Sequence, residues 1–231
     1  MLLPQPLFHG TLIRRYQRFL ADVELDDGTV VTAHTANTGS MKGCAVPGNR
    51  VVLSVSDNPG RKYPYSWELV HADGFWAGIN TRYPNFLARE GILDGTIAEL
   101  AGYENLREEV PYGEGSRIDL LLNGTRGSCY IEVKNVTLVE KGAALFPDAV
   151  TLRGQKHLRE LMEVVRRGDR GVNLFVVQRG DGEYVAPADG IDPAYGRMLR
   201  EAAANGVELL AYRAEVTPGE IRLVQRLPVV L

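Results

Sequence analysis

Arg117-Ile118-Asp119-Leu120-Leu121-Leu122, then Asn123-Gly124-Thr125-Arg126-Gly127-Ser128, then Cys129-Tyr130-Ile131-Glu132-Val133-Lys134 is the stretch on which the fold turns. Ile118 to Leu122 and Tyr130 to Val133 read as strands, and the Asn, Gly and Ser residues between them are the vocabulary of a hairpin turn. Side chains alternate faces along a strand, so Glu132 and Lys134 point the same way. A turn symmetric about Thr125-Arg126 sets Asp119 directly opposite Glu132. Facing Cβ atoms on antiparallel strands lie about 5 Å apart, and like charges there are destabilising. Two carboxylates face to face with a lysine beside them require a cation, which is the outline of a metal site. The neighbours Ile118, Leu120, Ile131 and Val133 are strongly apolar, so these strands belong to a core and only one face is polar.

Upstream, residues 1–80 read as short strands divided by turns: Gly10 to Arg15, Phe19 to Leu25, Val30 to His34, Arg50 to Ser56 and Trp67 to Ala72. Asp26-Asp27-Gly28 is a hairpin signal between alternating hydrophobics. This count fits a small closed barrel, the five-stranded OB type. Residues 81–231 read differently. Pro84 to about Tyr103 has helical spacing, broken near Gly91 and Gly95. The hairpin follows, with a third strand around Thr137 to Val139. Leu152 to Arg167 is a helix with Leu158, Leu161, Met162 and Val165 on one stripe. Val172 to Val177 is a continuous apolar run, expected of a strand buried on both faces. Ala194 to Asn205 is a further helix, Val207 to Tyr212 a central strand and Ile221 to Val224 an edge. The expected class is therefore α/β (α+β): an OB-like β-barrel in residues 1–80, then a mixed-sheet α/β domain in residues 81–231.

The chain has 231 residues, 45% hydrophobic and 24% charged, which is average for a globular protein. A net charge of −3 excludes a global polycation, so any contact with nucleic acid must come from a local patch. Cys44 and Cys129 have no CxxC partner and read as two buried thiols in a reducing compartment rather than a disulfide or a zinc site. No basic, apolar leader opens the chain and no run approaches 18 apolar residues, so a soluble cytoplasmic protein with no membrane contact is expected.

Two carboxylates and a lysine in this arrangement do what phosphodiester cleavage requires. The carboxylates hold a hard cation such as Mg²⁺ or Mn²⁺ through oxygen, the cation polarises the phosphate, and a lysine offsets the developing charge. An Asp, a spacer and Glu-x-Lys on adjoining strands resembles the signature of restriction-endonuclease-like (PD-(D/E)xK) nucleases. The match runs further. Tyr112-Gly113-Glu114-Gly115-Ser116-Arg117-Ile118-Asp119, Glu132-Val133-Lys134-Asn135-Val136-Thr137 and Phe146-Pro147-Asp148-Ala149 resemble the sugar fermentation stimulation protein A (SfsA) family. So do Asn37-Thr38-Gly39-Ser40-Met41, Ser56-Asp57-Asn58-Pro59 and Gly154-Gln155-Lys156-His157-Leu158. That resemblance, over essentially the whole chain, implies an N-terminal OB-like barrel, a restriction-endonuclease-like C-terminal domain and DNA binding without marked sequence preference. It also implies a link to regulation of sugar (maltose) metabolism genes.

The signature's proline is absent, since Ile118 precedes Asp119. Such nucleases often add an acid from the first helix as a metal ligand, and Glu90 is the matching residue, with a surface glutamate as its other reading. Gln155, Lys156 and His157 open the long helix, and helix N-termini favour the anionic DNA backbone. Gln178 and Arg179 stand at the end of the buried strand, where they could edge the same cleft. Arg14-Arg15-Tyr16-Gln17-Arg18-Phe19 and Arg61-Lys62-Tyr63-Pro64-Tyr65-Ser66-Trp67 interleave cations with aromatics, as OB folds do to track phosphates and stack bases. Arg14, Arg15, Arg18, Arg61, Lys62 and Tyr65 are the candidate contacts, against the plainer reading of surface arginines over a core Phe19 and Trp67. No P-loop, GxGxxG or GxSxG occurs, and Ser56-Asp57-Asn58 lacks the partner motifs of a penicillin-binding site. The leading expectation is a DNA-binding protein, its partner single- or double-stranded DNA. The alternative is a metal-dependent nuclease using Asp119, Glu132 and Lys134. A homodimer is a candidate assembly.

Overall fold

Alternating inward residues build the barrel. In the computed structural model, which describes residues 1–231, β1 (Leu7–Tyr16), β2 (Leu20–Leu25) and β3 (Val30–His34) form an antiparallel meander. β1 also pairs with β4 (Arg50–Val55), β4 with β5 (Tyr65–Ala72), and a short parallel β3–β5 pairing closes the ring. This is the five-stranded OB-type barrel, filled by Leu12, Val23, Val51, Leu53, Trp67 and Met41. The Asp26-Asp27-Gly28 signal is the β2–β3 turn, where Gly28 takes φ +85°, a value that L side chains rarely adopt.

β6 (Phe75–Gly78) folds back on β5 and ties the barrel to the rest of the chain. Ala77 bridges to Arg179, and the Gly78 N–H donates to the Gln178 carbonyl at 3.1 Å. Then follow α1 (Tyr83–Leu93), a single 3-10 turn (Ala98–Leu100), β7 (Asn105–Tyr112), β8 (Ser116–Gly124), β9 (Gly127–Val136), β10 (Leu138–Glu140), β11 (Ala143–Phe146), α2 (Leu152–Arg166), β12 (Arg170–Val177), β13 (Tyr184–Pro187), α3 (Pro193–Ala204), β14 (Glu208–Val216) and β15 (Ile221–Arg226).

The main sheet has the order β15-β14-β12-β9-β8-β7. Its middle, β9–β12–β14, is parallel and its flanks antiparallel, hence a mixed sheet. α1 covers one face, where Leu87, Ala88 and Ile92 pack on Leu120, Ile131 and Leu174. α2 and α3 cover the other, where Leu158, Leu161 and Leu199 pack on Val136, Phe175 and Val177. Being buried on both sides is why Val172 to Val177 carries no polar alternation apart from Asn173.

Two local expectations shift, and one further strand, β7, joins the sheet. α1 runs through Gly91, because the missing side chain lets Ile97 and Leu223 approach to 3.1 Å of where a Cβ would stand. The third strand, β10, leaves the main sheet and pairs with β11 in a small sheet completed by β13. β7 is an exposed edge strand that half-buries Leu106, Val110 and Tyr112, while its charges Arg107-Glu108-Glu109 and Pro111 discourage further pairing.

Candidate metal centre and nucleic-acid cleft

The hairpin register is the one read from its turn: Gly124 pairs with Gly127, and the ladder runs to Leu120 opposite Ile131. It stops there. Asp119 does not continue it; its Oδ2 accepts the Val133 backbone N–H at 2.7 Å and its Oδ1 accepts from Asn85 Nδ2 of α1 at 2.9 Å. On β7 the β7–β8 ladder skips the Glu109 and Asp119 pair, and Glu109 adopts φ +52°. The two strand edges open around Asp119, and the carboxylate takes a main-chain donor that ladder pairing would otherwise use.

Glu132 and Lys134 share one face of β9 and are both buried, at 4% and 8% exposure. Lys134 Nζ donates to Glu132 Oε1 at 2.6 Å, and His157 Nδ1 meets the same oxygen. Arg153 Nε in turn points at His157 Nε2, 3.3 Å away. Glu132 Oε2 is buried with no hydrogen-bond partner. Asp119, Glu132, Lys134 and His157 line one cavity of about 510 Å³, with Asn85, Arg82, Thr151 and Arg153 around them.

Electrostatics separate the two acids. Burial, then the nearby Glu132 charge, pushes Asp119 up to about 6, against the Val133 and Asn85 hydrogen bonds and Lys134. Burial acts on Glu132 in the same sense, but Lys134 and His157 outweigh it and hold that carboxyl below its ordinary range. One lysine and one histidine ring thus satisfy one oxygen of one acid, while the pair keeps an excess of negative charge.

The residues fit a hard divalent cation. An anionic Glu132 oxygen lacks a donor, a second carboxylate beside it resists ionisation, and both are oxygen ligands. No cluster of three or more His, Cys, Asp or Glu ligands exists in the chain. Two carboxylates alone suit ions such as Mg²⁺, which are commonly bound through one or two carboxylates together with water and substrate phosphate.

Several expected contacts lie elsewhere. Glu90 is not brought to the site: it sits on α1 five residues past Asn85, and its carboxylate holds the Met1 ammonium at 2.9 Å. His157 is 3% exposed and turned onto Glu132 inside the cavity instead of facing outward from the helix start. Arg15 is likewise occupied, gathering the carbonyls of Arg18, Asn37 and Gly39. Lys156 donates to the Glu114 carbonyl at 2.6 Å, clamping the β7–β8 hairpin against α2. Gln155 binds Asp192, the residue that caps α3. Arg179 is buried and paired with Asp181 and Asp73, joining the barrel to the sheet instead of edging the cleft. Tyr65 packs edge-on against Phe8 at 5.6 Å, and Trp67 is core.

The remaining basic residues converge. Register places Leu20 beside His34 and His34 beside Ser66, so the two cation-aromatic segments meet where the barrel closes. Exposed Phe19 lies 6.0 Å from the His34 ring, and Arg61 bonds Ser66 at 2.8 Å. Partial burial, then the Arg61 charge, lowers His34 from its ordinary value. Arg14 pairs with Asp22 over the Tyr16 ring, Lys62 stands over Tyr63, and Arg18 is exposed in the β1–β2 turn. Asn85 was not foreseen from the sequence, because one amide at a helix start carries no distinctive signal.

An OB-type barrel joined to a restriction-endonuclease-like α/β domain defines the class of protein. Residues 13–79 match the family described as SfsA N-terminal OB domain, and residues 82–220 match the sugar fermentation stimulation protein RE domain. The chain belongs to the sugar fermentation stimulation protein (SfsA) family. It is 75% identical over 231 residues to a sugar fermentation stimulation protein homolog of Citrifermentans bemidjiense, covering 100% of both chains. The corresponding homolog of Geobacter sulfurreducens is 73% identical over 229 residues, covering 99% of this chain and 98% of the other. Among solved structures, Pyrococcus furiosus SfsA in complex with Ca²⁺ is similar at a TM-score of 0.91 and 29% identity, covering 100% of this chain and 98% of that one. No helix is long and apolar enough to cross a membrane.

Proposed function

We propose that this chain binds DNA through its backbone, without marked sequence preference, at a divalent-cation centre formed by Asp119 and Glu132. The supporting observation lies at the centre of the cleft, where the buried Glu132 and the half-buried Asp119 share one lysine, Lys134, and Glu132 Oε2 lacks any donor. Bare acids repel a polyanion unless a cation bridges them. Mg²⁺ or Mn²⁺ is the proposed ion in the cell, and the Ca²⁺ complex of the Pyrococcus furiosus relative supports a site for a hard cation. Residues 1–80 are proposed as the nucleic-acid-binding unit, through Phe19, Arg14, Arg18, Arg61 and Lys62. Residues 81–231 are proposed as the cation-binding unit. A cytoplasmic location is supported by two buried, unpaired cysteines.

A second reading, hydrolysis of the phosphodiester bond, is favoured by one further observation: Lys134 is held at the centre by Glu132 instead of reaching solvent. When bound, a divalent ion supplies Lewis-acid polarisation of the phosphate and a lowered pKa for an attacking water. The chain's own residues do the rest. Asp119 and Glu132 fix the ion, the Val133 N–H and Asn85 orient Asp119, His157 orients Glu132, and Lys134 offsets charge developing on the phosphate. The link to sugar (maltose) metabolism genes rests on the family alone, and transcript levels in a deletion strain test it.

The deciding experiment incubates single- and double-stranded DNA with Mg²⁺ or Mn²⁺ and compares wild type with Asp119→Ala and Lys134→Ala. Cleavage by wild type alone establishes the nuclease. Binding without cleavage leaves the first reading. DNA affinity that stays flat as salt rises overturns both.

A further inference from the structure

A second cavity, of about 320 Å³, adjoins the first: Thr81, Val133 and Lys134 line both. It forms where barrel residues 36–39 meet β9, β10 and β11. The joint is built by several contacts. Ser40 Oγ and the Met41 N–H both donate to Asp148 Oδ2, at 2.9 and 3.0 Å, and Arg15 holds the Asn37 and Gly39 carbonyls at 2.9 Å each. Gly39 leaves no room for a side chain, since a Cβ there would stand 2.9 Å from Asn37 Oδ1.

The lining chemistry is unlike that of the first cavity. Asn37, Thr38, Asn135 and Thr137 supply amides and hydroxyls, and Leu145 and Phe146 supply apolar surface. Asn37 Oδ1 accepts the Gly39 N–H and Asn135 Oδ1 accepts from Gln178, both at 2.8 Å, which leaves two amide NH₂ groups as donors. The single cation in the lining is Lys134, already committed to Glu132, and Asp148 adds a negative charge. A phosphate would find no free counter-charge here. A neutral, flat group with acceptors on its edge and apolar faces would find both donors and a surface to lie against.

We propose that this cavity is a subsite for one nucleobase, turned out of its stack beside the phosphate that sits at Asp119, Glu132 and Lys134. The inference rests on the DNA-binding reading and adds a substrate class: DNA with an unpaired nucleotide at the site, as in a single strand, a flap or a frayed end. Unpairing a base is costly in an intact duplex and least so where the base is already free. Arg15 ties the carbonyl of Arg18, beside the exposed Phe19 patch, to the Asn37 carbonyl in the cavity wall.

The test uses the full chain with Ca²⁺ and fluorescence anisotropy on three DNAs: a blunt duplex, the same duplex with a short single-stranded overhang, and that overhang made of abasic nucleotides. Wild type is expected to bind the base-bearing overhang about tenfold more tightly than the abasic one, the order expected of one base contact. Thr38→Trp, a change at the exposed rim that plugs the cavity, is expected to erase that ratio while blunt-duplex affinity and the circular dichroism spectrum stay unchanged. Asn135→Leu is expected to reduce the ratio in the same way. Equal affinity of wild type for base-bearing and abasic overhangs, with salt-sensitive binding to all three DNAs, overturns the subsite and leaves the DNA-binding reading standing. Loss of salt-sensitive binding to every DNA overturns both.

Discussion

Asp119 Oδ2 accepts the Val133 backbone N–H at 2.7 Å, one residue beyond the last ladder pair of the β8–β9 hairpin. A side chain here replaces a strand partner. Asp119 is therefore fixed to the backbone of β9 between Glu132 and Lys134, and the acid cannot turn away to relieve its repulsion with Glu132.

Asp119→Asn tests that repulsion. An asparagine keeps an acceptor for Val133, and Asn85 can flip its amide to match. An acid raised to about 6 from an ordinary 3.8 is strained when ionised at pH 7. The strain is at most about 3 kcal/mol. The variant is expected to melt about 2–6 °C higher without metal, by scanning calorimetry, and to lose Mn²⁺ binding by titration calorimetry.

The pH dependence follows in sign. Asp119 has a folded-state pKa above its unfolded value, so the folded chain binds the extra proton and gains stability as pH falls from about 7 toward 4. Glu132, held below its ordinary value, acts oppositely at lower pH, its contribution being lost as pH falls through its folded value. Subtracting the Asp119→Asn melting curve from that of wild type isolates the first effect. At the proposed cation site protons would compete with the ion for Asp119, so Mn²⁺ affinity is expected to fall steeply below about pH 6.

Lys134→Met leaves Glu132 buried without its ammonium partner. Breaking a buried pair on one side costs about 3–5 kcal/mol, whereas replacing both partners is often near neutral. Urea unfolding should show Lys134→Met strongly destabilised and Glu132→Gln/Lys134→Met close to wild type. Equal destabilisation would show that Lys134 contributes through packing instead of charge.

Two arginines three residues apart are expected to behave differently. Arg15→Ala removes the donor for the Asn37 and Gly39 carbonyls and should lower stability by about 1–3 kcal/mol. Arg18→Ala should leave the melting temperature unchanged while weakening DNA binding and reducing its salt slope by about 1. Melting curves and salt titrations of both variants check the contrast.

Both cysteines are buried, and burial pushes Cys44 up to about 11 and Cys129 up to about 12. Neither is expected to react with a thiol reagent at pH 8 until the chain unfolds, when two equivalents should titrate.

Local chemistry was legible in the sequence wherever it depended on near neighbours. Strand alternation alone put Glu132 and Lys134 on one face, and a two-fold turn at Thr125-Arg126 set the hairpin register. The stripe of Leu158, Leu161 and Met162 marked α2, and the uniform apolar run of β12 marked a strand covered on both sides. These signals are periodicities, and a periodicity is complete within a few residues.

Long-range packing decided the rest. Glu90 and Asn85 are five positions apart on α1, about 140° around a helix, so with Leu87 and Ile92 packed in the core Asn85 meets Asp119 while Glu90 turns toward the Met1 ammonium. His157 and Lys156 are adjacent, yet one enters the site and the other clamps a hairpin, since α2 turns its apolar stripe inward. Arg15 and Arg18 look alike in sequence, and the loop that folds over Arg15 separates them. Asn37 and Asp148 stand on either side of one cavity only because two units of the chain dock there. Sequence thus determined which side chains could do chemistry and which face of their own element they occupy. Which of them meet is a property of crossing angles and docked surfaces, to which dozens of residues contribute at once.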